Sequence, residues 1–227
     1  MGDQFNKPIK LPQDLRILVM GSNFNQRITL PDGDALEYLE MGMNFNKYIT
    51  LPNGLLILKM GWNFNQVITL PDGLQELEMG NMFNRPITLP SELKNLKMGS
   101  NFNQPIKLPE GLQDLSMGDM FNQPLDLSHT QIREFQMNYI FNSPLNLSHT
   151  QITHLETNYI FNSPLNLSHT QITEYEMWEV FNSPIILPSG LKKLIMNTNF
   201  NQPIKLPEAL EKLYIYNVFN QPITLPD

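Results

Sequence analysis

Apolar residues recur along this chain at a fixed interval. Leu74, Leu77 and Met79 form a Leu-x-x-Leu-x-Met phrase, followed by Phe83-Asn84 and then by Pro86-Ile87-Thr88-Leu89. The Phe-Asn pair begins at Phe5, Phe24, Phe45, Phe64, Phe83, Phe102, Phe121, Phe141, Phe161, Phe181, Phe200 and Phe219, in steps of 19 to 21 residues. Around the second leucine the alternation has period two, as in Leu77-Glu78-Met79, which predicts a short strand with one face inward. The other half of each unit usually carries a proline on each side of Ile-x-Leu. Proline fixes φ and removes a donor, so a helix is excluded there and an extended or polyproline-like return is expected. Tight turns fall at Asp72-Gly73 and its counterparts.

Periodicity from end to end predicts a leucine-rich-repeat solenoid: one domain over residues 1–227, with about eleven 19–21-residue units and partial units at both ends. Its eleven strand blocks, from Leu15 to Ile215, are expected to form a single curved parallel sheet on the concave side, with essentially no α-helix. The one 21-residue step adds two residues near Asp34 and Ala35, in a turn where insertion is cheap. "NYIFNSPLNLSHTQIT" occurs verbatim at 138–153 and 158–173, which suits a unit stacked on its own copy. Phe, Ile, Leu and Met are expected inside, each rung contributing about 1.5–3 kcal/mol per large side chain. The methionine column (Met1, Met20, Met41, Met60, Met79, Met98, Met117, Met137, Met177, Met196) is read as core filling. The Asn after each Phe is read as a buried amide that must be paired, through a ladder to its own turn and the neighbouring unit.

The phrases "FNQPITLP" and "FNRPITLP" resemble the FNIP repeat, a relative of the leucine-rich repeat found in proteins of amoebae and large DNA viruses. That resemblance covers essentially the whole chain and implies the same solenoid. Family members often carry an F-box before the repeats; these residues contain none, so that adaptor role is not carried over. "LPxGLxxL" is also similar to the short leucine-rich repeats of bacterial effector proteins, which lack return helices.

Composition narrows the function. A net charge of −7 argues against unspecific nucleic-acid binding. The chain has no cysteine, no apolar run long enough to span a membrane and no signal-like start. A cytoplasmic location is expected, in the host cell if the protein is viral. His129, His149 and His169 come into register, but within return turns and without a matching carboxylate, so they are read as turn residues and not as a metal site. His154, with Glu156 and Glu174, is the most irregular titratable cluster, and it would lie on an open sheet. No catalytic residue, cofactor or metal is predicted.

Function is expected where equivalent positions differ, on the outward strand residues. The N-terminal part of that face is apolar (Ile17, Val19, Tyr38, Ile57), with Met43 and Trp62 just beyond the strands. Its centre, from Glu76 to Glu176, has seven carboxylates against one lysine, among them Glu78, Glu134, Glu156 and Glu174. Tyr139, Tyr159 and Trp178 border this centre, and Lys193, Lys212 and Tyr214 follow it. Aromatics beside charge suit a protein interface. The expectation is a non-enzymatic scaffold that binds a protein or peptide, basic by complementarity, on its concave face. The alternative is self-assembly through uncapped solenoid ends, giving a homodimer or larger oligomer.

Overall fold

Leucine and methionine alternate with polar residues at each strand block, and ten of the eleven blocks become rungs of parallel ladders. The chain divides into two units, Met1–Phe121 and Asn122–Asp227. The computed structural model describes residues 1–196, 198–216 and 218–225. Each unit is a parallel β-solenoid, and no helix forms among the described residues.

In the first unit the strands are β1 (Ile17–Val19), β2 (Tyr38–Glu40), β3 (Ile57–Lys59), β4 (Glu76–Glu78), β5 (Asn95–Lys97) and β6 (Asp114–Ser116). They pair in chain order, leucine on leucine: Leu18 with Leu39, Leu39 with Leu58, and so on to Leu115. The two-residue insertion near Asp34 therefore leaves the register untouched; the turn absorbs it. Two turns close each coil. In one of them Leu74 N–H donates to Pro71 C=O at 3.2 Å, and in the other Phe64 N–H donates to Gly61 C=O at 3.0 Å.

Inside, Phe5 through Phe121 stack with ring centroids 6.0–6.2 Å apart and planes within 11° of parallel. The methionine column from Met20 to Met98 is buried, as core filling requires. One further column sets how closely the coils approach. A Cβ on Gly80 would sit 2.0 Å from the Gly61 carbonyl oxygen, and the same approach recurs at Gly42, Gly61, Gly99 and Gly118. Only glycine lets backbone pass this close to backbone.

The second unit has a four-stranded outer sheet: β9 (His154–Glu156), β11 (Glu174–Glu176), β13 (Lys193–Met196) and β14 (Lys212–Ile215). On the return side β7 (Leu125–Asp126) pairs with β8 (Leu145–Asn146), and β10 (Leu165–Asn166) with β12 (Ile185–Ile186). Its phenylalanines, Phe141 to Phe219, stack 6.0–6.1 Å apart. The glycine column is replaced by Asn138, Asn158 and Trp178. The Asn158 amide donates to the carbonyls of Asn138 and Phe141, so its side chain fills space that glycine leaves to the neighbouring backbone.

Two expectations need revision. Of eleven strand blocks, ten pair; Glu134–Gln136 forms no strand, although Phe135, in the leucine position, is buried there. The return side of the second unit is extended, as expected, and pairs in short strands at residues 125–126, 145–146, 165–166 and 185–186. The asparagines after phenylalanine do form a ladder, but they are half-buried or exposed, not buried. The Oδ1 of Asn6, Asn25, Asn46, Asn65 and Asn84 accepts the backbone N–H of the equivalent asparagine one coil on at 2.9–3.1 Å, and that of Asn122, Asn142, Asn162, Asn182 and Asn201 does so at 2.6–2.8 Å. Gln26, Gln66 and Gln104 add a second donor to the same oxygens.

Candidate functional site

The outward strand positions of the first unit begin apolar: Ile17 and Val19 are exposed, and Ile57 is half-buried on the row Ile17–Tyr38–Ile57. Tyr38 donates its hydroxyl proton to Glu40 at 2.7 Å, and that bond holds the phenol above its ordinary pKa. Lys59 lies 5.9 Å from the Tyr38 ring centroid. Met43 and Trp62 stand in the turns after β2 and β3, both exposed. Further along, Glu78 is neutralised by Lys97 at 2.6 Å, and Glu76 has no cationic partner among the described residues. On the opposite side, Tyr48 and Val67 replace the repeat's proline and are exposed, a feature that sequence reasoning passed over. An open groove of about 540 Å³ runs there between residues 28–32 and 48–53, beside the insertion.

The second unit brings its charged and aromatic residues together differently. On the row before the central residue, Glu174 sits between His154 (3.9 Å) and Lys193 (3.6 Å), and Lys193 counters its charge. On the row after it, Glu156 and Glu176 are register partners, one strand spacing or about 4.8 Å apart. Neither has a cationic partner among the described residues. The Trp178 indole N–H donates to Glu156 Oε1 at 2.9 Å. Tyr159 packs against Trp178 with centroids 4.4 Å apart and planes at 56°. Tyr139 is the most exposed aromatic, at 78%. Tyr214 is exposed on β14, and Glu134 is exposed outside any strand.

The sequence singled out Glu156, Tyr159 and Trp178 separately; the structure joins them. The signal lay in the spacing: Trp178 follows Glu156 by one 20-residue coil plus two, which returns to the same outward face. The inward half of the difference was missed. Tyr175 takes the leucine position and is buried, and Thr157, one coil earlier, takes the methionine position. The Tyr175 hydroxyl points toward Thr157 without reaching hydrogen-bond geometry, and burial pushes the phenol's pKa up. Thr157 Oγ1 instead accepts the Trp178 backbone N–H at 3.3 Å.

Of the three turn histidines, His149 and His169 stack at 5.7 Å, with His149 in the left-handed region (φ 63°) and its N–H donating to His169 C=O. His129 lies 4.0 Å from Asp126. Among the described residues, no three of His, Asp or Glu are placed to hold one metal ion. No helix there is long and apolar enough to cross a membrane.

A parallel solenoid with stacked Phe-Asn rungs and a varied outward strand row defines a repeat protein of the leucine-rich-repeat type. The FNIP repeat model matches residues 5–44, 45–82, 83–108, 102–129, 181–216 and 200–227, and the chain belongs to the FNIP repeat family. Among solved structures it is similar to CroV588, described as a circular leucine-rich-repeat protein, with 25% identity over 98% of this chain and a TM-score of 0.41. The chain spans 53% of CroV588, about half its length. A leucine-rich repeat protein from Bacteroides ovatus is also similar, at 14% identity over 89% of this chain and 73% of that one, with a TM-score of 0.28. No curated protein matches the chain.

Proposed function

We propose that this protein is a non-enzymatic interaction scaffold that binds a basic protein or peptide on the outward strand face, in the cytoplasm. One observation carries the reading: inward positions repeat coil after coil, whereas outward positions vary and leave two adjacent carboxylates, Glu156 and Glu176, without a cation. Like charges opposite one another on a sheet cost stability in the free protein. A basic partner relieves that repulsion and is drawn in by it. The repeat frame is a rigid carrier for such a row.

The test is binding of a fluorescent peptide alternating Arg-Gly and Lys-Gly, against an Asp-Gly counterpart, by anisotropy at 50 and 200 mM salt. Binding of the basic peptide only, weakened by salt, and lost in Glu156→Lys/Glu176→Lys but kept in the turn control Glu110→Lys/Glu208→Lys, is the expected result. Equal binding by both double variants, or none by the native protein, overturns the reading.

A further inference from the structure

We infer that Trp178, Tyr159, Glu156 and Glu176 form a subsite for one arginine side chain of that partner. This rests on the scaffold reading above and specifies its anchor residue.

Trp178 breaks a column that elsewhere holds only glycine or asparagine up to that point in the chain, so a large ring appears where the coil otherwise has a compact turn. The ring is not loose. Its N–H is committed to Glu156 Oε1, which fixes the indole edge, and Tyr159 braces it from the previous coil. Glu176 and Trp178 lie two residues apart at the end of β11, on the same outward side. The result is an aromatic wall beside two carboxylates, with Tyr159 exposed and the indole half-buried.

The indole N–H occupies one oxygen of Glu156, leaving its other oxygen and both oxygens of Glu176 as acceptors with no cation paired to them among the described residues. A guanidinium has five N–H donors in a planar fork, which suits two carboxylates side by side, and its face stacks on indole and phenol rings. A lysine ammonium is a compact and strongly hydrated point charge that gains less from a flat wall. The contrast with Glu174 is internal to the same sheet: that carboxylate already has Lys193 at 3.6 Å.

Trp62→Phe leaves Trp178 as the sole tryptophan and hence a direct reporter. In that background, three peptides are titrated, identical except for one central residue: arginine, lysine or citrulline. Arginine should shift Trp178 emission saturably, with lysine about ten-fold weaker and citrulline weaker still. Glu176→Gln and Tyr159→Leu, followed by anisotropy with labelled peptide, should each weaken arginine binding about ten-fold and erase its preference over lysine. Tyr159 is half exposed, so its loss leaves the fold intact, as far-ultraviolet circular dichroism will register. If the peptides bind but neither variant changes affinity or the arginine preference, the subsite is wrong while the scaffold reading stands. If no basic peptide binds the native chain, both fail.

Discussion

The glycine column in the first unit makes a severe demand on a single atom. In Gly80→Ala the new Cβ would lie 2.0 Å from the Gly61 carbonyl oxygen and 3.0 Å from its carbon, whereas real Cβ atoms essentially never come within 3.0 Å of a heavy atom. The coil must therefore withdraw by roughly 1 Å. That motion stretches the bonds from Met60 N–H to Glu78 C=O (2.8 Å) and from Met82 N–H to Trp62 C=O (2.9 Å) beyond bonding length. Two lost bonds at about 1 kcal/mol each, with about 1–3 kcal/mol of overpacking strain, give a destabilisation of about 3–5 kcal/mol. Gly73→Ala is the matched control. Its Cβ would meet only the Asn53 carbonyl oxygen at 3.9 Å, and its φ is not positive, so the change is expected to be neutral or stabilising by up to about 1 kcal/mol. Urea unfolding followed by Trp62 fluorescence in a Trp178→Phe background reads the first unit directly. Midpoints for the two variants that agree within about 0.5 kcal/mol would refute the claim that glycine is required for coil contact.

Two other predictions concern polar groups inside the repeat. Asn65→Ala removes the acceptor of the Asn84 N–H and should cost about 1 kcal/mol in urea unfolding, while Asn65→Asp keeps an acceptor and should recover most of it. Tyr175→Phe deletes a buried hydroxyl that has no partner in hydrogen-bond geometry, so it should be neutral or stabilising by up to about 1 kcal/mol; a loss above that shows a satisfied hydroxyl.

The fold was legible because it is written many times. Phe, Leu and Met recur at the same offsets, so each coil confirms the next, and the register follows even across the insertion at Asp34. Reading failed where one copy departs from the rest for reasons that depend on depth. Nothing in Arg133–Gln136 distinguishes it by pattern from the blocks that pair, and Phe135 is as apolar as the leucine it replaces. The asparagine ladder was foreseen, but its burial was not, because sequence shows that an amide recurs and not which side of the wall it lies on. For the candidate site, the alternation placed Glu156, Glu176 and Trp178 outward correctly. It could not show that Glu174 and Glu78 are already countered by lysines, since that depends on side-chain reach between coils.

Thr157 and Tyr175, each just beyond one copy of the duplicated stretch, set its two copies apart. An exact copy of a coil is self-compatible, because ring meets identical ring and amide meets identical amide, so insertion of such a cassette asks nothing of its neighbours. One coil has a small residue facing inward, Thr157, and the next a large one in the adjoining layer, Tyr175, so the two coils are not interchangeable. Excising either cassette would place a threonine or a tyrosine against an unaltered partner, leaving a void or a clash. The interior thus fixes the order of two coils whose copied stretches are identical.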